Sequence, residues 1–591
     1  MTDEFLEYGA YVALLVALAI PLSGYMNKVM AGEKTVLSRV LLPLERAVYK
    51  VSGVDPNEEM GWKEYLACVL AFSAVSFVGL FAILMLQGVL PFNPEGVDGM
   101  SWHLAFNTAS SFVTNTNWQS YSGESALSYF SQALGLTVQN FVTPAVGLSV
   151  LYVLFRGIAG EATNAVGSFW ADMTRGVLYI LMPICLVTAM FGVFQGVPQN
   201  LSEYETVDLV EPISLDADGN VVSSDDPSAV ETVEHAVVPL GPQSSQVAIK
   251  QLGTNGGGYN GVNSASPLEN PTPLSNLIEC ISLLLIPISL TFSFGRFVAD
   301  RRQGRAVFAA MFVLLLAGII AVGAFEQMGT PQFASGGDVY MGTVDQSGGN
   351  MEGKESRFGV TDSSIWAAFT TAASNGSVNS MHDSYTPIGG MVPIVLMGLG
   401  EVVGGGVGCG LYSMLGFVLL TVFIAGLMVG RTPEYLGKKI GPLEMRMAVI
   451  LCITTPVVTL LGASVMCLDP ATVNSLTNSD AHGFSEVLYA ATSAGGNNGS
   501  AFAGLNANTP LINTVLGIEM LANRFIPIAA TCVLAGSLLA RPKVATSSGT
   551  LSTCNPMFVF LTVLVVLLVG ALSLFPALAL GPIAEQFQMI L

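Results

Sequence analysis

Residues 494–502 read AGGNNGSAF, with an Asn-Gly corner at Asn498 and Gly499. Three other stretches echo it: SFVTNTNWQSY at 111–121, LGTNGGGYN at 252–260 and AASNGSVNS at 372–380. Asn115, Asn255, Asn375 and Asn498 are 140, 120 and 123 residues apart, a period too long for a solenoid. Each corner follows a moderately apolar segment too short or too polar to cross a bilayer, and a long apolar run lies on either side. The unit is therefore span, short re-entrant helix, corner and span. Four such units account for eight spans.

Moving outward from the corners, apolar runs lie near 9–27, 64–89, 129–155, 175–195, 274–297, 306–325, 391–430, 443–467, 509–540 and 556–581. These are ten candidates of roughly 18 residues or more, enough to cross about 30 Å of hydrocarbon. Composition agrees: of 591 residues 51% are hydrophobic and 11% charged, where about 25% charged is usual for a soluble protein. So little charge excludes a string of soluble domains or a disordered scaffold, and a net charge of -20 opposes general affinity for nucleic acid. The 63 glycines and 29 prolines imply irregular backbone, which a membrane tolerates only inside protein. The eight cysteines form no C-x-x-C and read as packing residues, and the four histidines are far apart in sequence, giving little support to a zinc site.

The fold class expected is all-α integral membrane, one transporter domain with ten transmembrane helices. Residues 1–63 hold the first span and a basic segment, 64–155 repeat 1, 175–297 repeat 2 with an acidic insert at 201–235, 306–430 repeat 3, 443–540 repeat 4, and 556–591 the last span. Placing the N-terminus outside puts 18 of the 22 basic residues on the cytoplasmic side, leaves Lys250, Lys354 and Arg357 outside, and sets Arg524 within a span. That bias orients the chain with both termini extracytoplasmic. The acidic insert then faces outward, as a solvated loop or a collector of cations.

Four corners on one face suggest pseudo-fourfold symmetry about an axis normal to the membrane. A dehydrated cation needs oxygen ligands, because losing its water shell costs tens of kcal/mol on a Born basis. Backbone carbonyls supply them when successive residues turn inward, which calls for positive φ, reached freely by glycine and tolerated by asparagine. A short helix ahead of the corner points its partially negative C-terminus at the ion. No corner carries a carboxylate, which favours potassium over calcium or magnesium. Ordinary turn chemistry is the competing reading of each corner taken singly. Thr116 stands where the other corners have glycine, so one quarter is built differently.

The stretches TNTNWQSYSGE from Thr114, LGTNGGGYN from Leu252, NGSVNSMHDS from Asn375 and NNGSAFAGL from Asn497, with GVDPNEEMGWKEYL from Gly53, resemble the potassium-binding A subunit, KdpA, of bacterial Kdp potassium-transporting ATPases. The resemblance covers essentially the whole chain. It implies a channel-like filter made of Thr114, Asn115 and Thr116; Thr254, Asn255 and Gly256; Ser374, Asn375 and Gly376; and Asn497, Asn498 and Gly499, with Gln119 at the pore entrance. It also implies an inner-membrane location, K+ as the transported ion, a P-type ATPase subunit (KdpB) as partner, the small subunits KdpC and often KdpF, and a tunnel inside the membrane toward the ATPase subunit. The acidic insert after Gln199 is longer than the resemblance leads one to expect.

Arg524 is the only basic residue deep in a span, and such charges are usually functional. It is read as a barrier to potassium leaving the filter, or as a packed partner of Glu519 or Glu279. The seventh run is too long for one straight crossing and carries Gly404, Gly405 and Gly406 beside Glu401. A broken, ion-lining helix and close helix packing both explain it. No phosphate-binding G-x-x-x-x-G-K-[ST] loop and no Asp-Lys-Thr-Gly sequence occurs, so the chain has no ATP site of its own and is expected to be the non-hydrolytic subunit of a larger pump. The basic segment Lys28 to Lys63 is a candidate docking surface or a solvated loop. The competing functions are a stand-alone potassium channel or ion-coupled transporter of the Trk/Ktr type, and a membrane assembly or sensor protein that binds no ion.

Overall fold

A hydrophobic run long enough to span, closed at its start by a capping residue and a proline, recurs through the chain. Thr272, Thr509 and Asn555 each accept a backbone N–H of the first turn, and Pro273, Pro510 and Pro556 follow them. The computed structural model describes residues 2–161, 163–217, 221–223, 228, 230–330, 348–545 and 551–590. Among the described residues ten helices are long and apolar enough to cross a membrane: Glu4–Met30, Trp62–Val89, Ser131–Ala159, Phe169–Gln195, Pro273–Phe297, Arg301–Met328, Cys409–Met428, Pro442–Cys467, Pro510–Ala540 and Pro556–Leu580. The chain is an α-helical multi-pass membrane protein.

Four shorter helices sit in the connections, at Trp102–Val113, Gln243–Leu252, Gly359–Ala372 and Asp480–Gly495. At about 1.5 Å rise per residue none of them crosses a membrane. The spans that follow them form the inner layer: 83%, 78%, 67% and 61% of their apolar windows are buried, against 22%, 28%, 56% and 50% for the spans that precede them. Pro144, Pro287 and Pro527 lie inside three of these inner spans. The fourth, the 391–430 run, is broken outright into Pro387–Gly398 and Cys409–Met428. The break, 399–408, holds Gly400, Gly404, Gly405 and Gly408 at positive φ, a region closed to most side chains.

Two expectations need correction. The acidic insert is not a loop: Glu205–Leu215 pairs antiparallel with Val221–Val222 and with Glu231–Val238. Valines interspersed with carboxylates suit a strand exposed on both faces, and Tyr204 ties it down by donating to the Glu124 carbonyl at 2.8 Å. Part of the insert, within 218–229, lies outside the described residues. The basic N-terminal segment also folds, as the helix Ser38–Ser52, whose buried Glu45 meets Arg175 at 3.3 Å. The cysteines are all unpaired; five are buried, while Cys68, Cys467 and Cys554 are half-buried.

The break packs backbone to backbone on the inner span Ser131–Ala159. A Cβ at Gly147 would overlap the Val407 carbonyl, and one at Gly408 the Gly147 carbonyl. Gly147→Val should therefore lower stability by about 1–3 kcal/mol, the usual cost of overpacking. Gly9→Ala, with nothing within 4 Å of the added carbon, should be neutral. Thermal unfolding of the purified protein checks both.

Candidate ion-binding site

Each short helix ends in the same local geometry. Two residues past the ends at Val113, Leu252, Ala372 and Gly495 stand Asn115, Thr254, Ser374 and Asn497, all left-handed, with φ of 67°, 53°, 50° and 48°. One residue further on, the N–H groups of Thr116, Asn255, Asn375 and Asn498 reach back to the carbonyls of Ser111, Lys250, Thr370 and Ser493 at 2.9, 2.9, 3.0 and 2.8 Å. The next position is again left-handed at Asn117, Gly256 and Gly499 (59°, 93° and 100°). This corrects the register read from the sequence. Thr116, not Asn115, is the counterpart of Asn255, Asn375 and Asn498, and Asn117 takes the place of the glycines. A non-glycine residue at positive φ costs of order 1–3 kcal/mol, so four in equivalent places mark conformations that the surroundings impose.

The corners meet one another in chain order. Asn115 donates its side-chain amide to the Thr254 carbonyl at 2.9 Å, Asn375 to the Lys250 carbonyl at 3.0 Å, Asn498 to the Thr370 carbonyl at 2.9 Å, and Asn497 to Thr116 Oγ1 at 2.8 Å. The Gly376 N–H also donates to the Asn255 carbonyl at 3.1 Å. Asparagine is thus used for its amide, which clasps the neighbouring quarter. The approach is close enough that a Cβ at Gly256 would overlap the Gly376 and Ser377 nitrogens, and one at Gly499 the Thr116 carbonyl.

Several carbonyls in this ring are left over. Those of Asn115, Thr116, Ser374, Asn497 and Asn498 accept no hydrogen bond among the described residues, although all five residues are buried. Buried carbonyls nearly always have a donor, so a cluster without one has lone pairs to offer a water or a cation. Above the ring a cavity of about 500 Å³ is lined by Gln119, Asn117 and Asn263 among others. Gln119 donates to the Gly258 carbonyl at 3.0 Å, and both side-chain polar atoms of Asn117 are unpartnered. Glu124 stands outside the spans near this mouth, accepting from the Gly261 N–H at 2.7 Å; burial pushes its carboxyl up, and backbone donors pull the other way.

Directly beneath the second and third corners lies the break. The Gly405 N–H donates to the Ala372 carbonyl at 2.7 Å and the Val407 N–H to Thr254 Oγ1 at 3.0 Å. Glu401, at φ 62°, is buried, and its Oε2 has no partner. Arg524 is buried beside Cys409, Tyr412 and Glu401. It is not the partner of either carboxylate expected from the sequence. Glu279 accepts from Gln251 at 2.9 Å and Ser264 at 3.0 Å, while both oxygens of Glu519 are unpartnered. One residue before it, Asn523 donates to Asn497 Oδ1 at 3.2 Å, so Arg524 stands just below the fourth corner.

Lys250 was not singled out from the sequence beyond its outer-face position. It is fully buried in the second short helix, donating to Asn263 at 2.6 Å and Ser264 at 2.9 Å and paired with the equally buried Glu269. Asn263 in turn donates to the Gly256 carbonyl at 2.6 Å. The ion pair thereby braces the second corner from behind. A lone lysine in a short helix that ends at a corner was the available signal.

Ten helices long and apolar enough to span, with four short helices ending in clasped corners between them, define an all-α multi-pass membrane protein. The model of the KdpA family, the potassium-transporting ATPase A subunit, matches residues 9–587. The chain belongs to that family. It is 61% identical over 590 residues to the potassium-transporting ATPase potassium-binding subunit of Clostridium botulinum strain Alaska E43, covering 100% of both chains. It is 60% identical to the subunit of the same description from Desulfovibrio desulfuricans, covering 98% of each. The Clostridium relative is matched end to end, so the acidic insert does not make this chain longer than that relative. Among solved structures, the potassium transporter TrkH from Vibrio parahaemolyticus aligns over 87% of this chain and 96% of its own, with TM-score 0.48 and 14% identity.

Removing one member of a buried ion pair leaves an uncompensated charge and costs about 3–5 kcal/mol. Lys250→Met should destabilise the purified protein by that order, and Lys250→Met with Glu269→Gln should recover much of it. Thermal unfolding in detergent measures both; a single variant as stable as the parent would remove the brace.

Proposed function

We propose that this chain is the potassium-binding, translocating subunit of an ATP-driven uptake complex in the bacterial inner membrane, with both termini outside. The observation that carries the reading is the clasped ring of corners with its unpartnered buried carbonyls. In this reading the repeats 64–155, 175–297, 306–430 and 443–540 surround one axis, and K+ enters past Gln119. It exchanges its water for oxygens around Thr116, Asn255, Asn375 and Asn498, with Thr114 Oγ1, 2.7 Å from Thr116 Oγ1, tightening the first quarter. Neutral carbonyls held at fixed separation favour a monovalent, weakly hydrated ion.

Below the ring, Arg524 opposes free passage, because a buried cation repels a second one at close range. Glu401 and the glycines of the break offset that repulsion and allow the segment to yield. The ion then leaves sideways toward a P-type ATPase partner, KdpB, with KdpC and KdpF completing the complex among membrane lipids. ATP hydrolysis belongs to the partner; this chain supplies selection and a guarded path.

Gly256→Ala should weaken the apparent potassium affinity of the complex's ATPase activity at least tenfold, since the added carbon cannot fit without opening the ring. Arg524→Ala should permit potassium flux in reconstituted vesicles without ATP, or lower apparent affinity. ATPase titrations and isotope flux on the intact complex measure these. Unchanged titrations for Gly256→Ala remove the second corner from the site, and unchanged uptake without leak for Arg524→Ala removes the barrier.

A further inference from the structure

A cluster that plays no part in the ring joins the segment after the third corner to the short helix that leads into the fourth. Asp383 follows the third corner, His482 and Glu486 lie one turn apart on the helix Asp480–Gly495, and Glu585 comes from the last helix, Pro582–Ile590. One side-chain atom from each of Asp383, His482 and Glu486 lies within 4.8 Å of the other two. Asp383 and His482 are 99 residues apart in the chain, so the sequence pattern hides the grouping.

Three observations indicate a ligand. Three carboxylates surround a single imidazole, leaving the cluster with excess negative charge. Glu486 is fully buried, and its Oε2 has no hydrogen-bond partner, while Oε1 accepts from Asn478 at 2.8 Å. The two ring nitrogens of His482 are also differentiated. Nδ1 is 2.7 Å from Glu585 Oε1, and Nε2 is 3.2 Å from Asp383 Oδ1. A carboxylate on Nδ1 that leaves Nε2 facing other carboxylates is the arrangement that fixes a metal-ligating histidine's tautomer and orientation.

We propose that Asp383, His482 and Glu486 form a binding site for a first-row divalent cation of the zinc type, with Glu585 as the outer carboxylate that orients His482. One imidazole nitrogen and two carboxylate oxygens suit zinc, with water in the remaining position. Calcium and magnesium are disfavoured, since both prefer an all-oxygen shell. Without metal, both ring nitrogens of His482 stand within hydrogen-bond distance of a carboxylate, Nδ1 of Glu585 and Nε2 of Asp383, so each needs a proton to bond there. Metal entry releases that proton from Nε2 to solvent, and Asp383 changes from hydrogen-bond acceptor to ligand. Gly504 keeps the space clear, since a Cβ there would lie 2.5 Å from Glu486 Oε1 and 2.6 Å from Asp383 Oδ2. Occupancy links the segment after the third corner to the short helix that ends at the fourth.

The test is zinc titration of the chelator-stripped intact complex by calorimetry and metal analysis, with X-ray absorption of the loaded sample. The wild type should bind one zinc that Glu486→Gln and Asp383→Asn each weaken at least tenfold. Glu585→Gln should weaken it 10–100-fold, as expected for an outer-shell partner. Absorption should show nitrogen and oxygen neighbours at about 2.0–2.2 Å. The two near-isosteric ligand variants preserve the fold if His482→Ala does not. No stoichiometric zinc in the wild type, equal binding in the Glu486→Gln and Asp383→Asn variants, or sulfur neighbours at about 2.3 Å would each overturn the site.

Discussion

A peptide carbonyl buried away from water must find a donor or a cation, and the rest of this molecule is organised around a place where it finds no donor. The first, third and fourth corners together contribute five buried carbonyls with no hydrogen bond among the described residues, and asparagine amides that reach from one quarter to the next hold the ring. Each amide contributes only about 1 kcal/mol net, but leaving one unpaired costs about 1–3 kcal/mol. The clasps are therefore better at fixing geometry than at adding stability. That suits a site whose selectivity depends on the spacing of neutral oxygens.

The supporting parts follow from this constraint. Left-handed backbone at Asn115, Thr254, Ser374 and Asn497 is strained, and persists because bracing surrounds it. Behind the second corner the brace is the Lys250–Glu269 pair, and Asn263 passes its restraint to the Gly256 carbonyl. Beneath the second and third corners it is the broken inner span, whose glycines let the backbone approach and hydrogen-bond to Ala372 and Thr254. The same break brings Glu401 near Arg524, so the charges below the ring belong to the element that interrupts the helix.

Much of this was legible because membranes impose simple lengths. Ten runs of apolar residues became ten helices, and the glycine-rich seventh run broke where its glycines lie. The register of the first corner was not legible from matching asparagines, since Asn115 shares a residue type with Asn255 but not a place. Counting from the end of the preceding helix aligns Thr116 with it instead. The strands of the acidic insert were masked by charge, and their valines, spaced irregularly, give no period of two. Side-chain partnerships resisted most: Lys250 with Glu269 and Asp383 with His482 are made by the fold, and neither residue type nor local spacing announces them. Likewise, Glu519 and Glu279 looked like natural partners for Arg524 by charge alone, yet each faces elsewhere.

The central claim is that one dehydrated monovalent cation sits inside the ring of four corners, among the free carbonyls of the first, third and fourth. Anomalous diffraction or density difference from thallium or rubidium soaked into the intact complex tests it most directly. The account predicts a peak on the common axis, within coordinating distance of the Thr116 and Asn498 carbonyls and flanked by Asn255 and Asn375. Ion density confined to one quarter, or found only outside the ring, would contradict it.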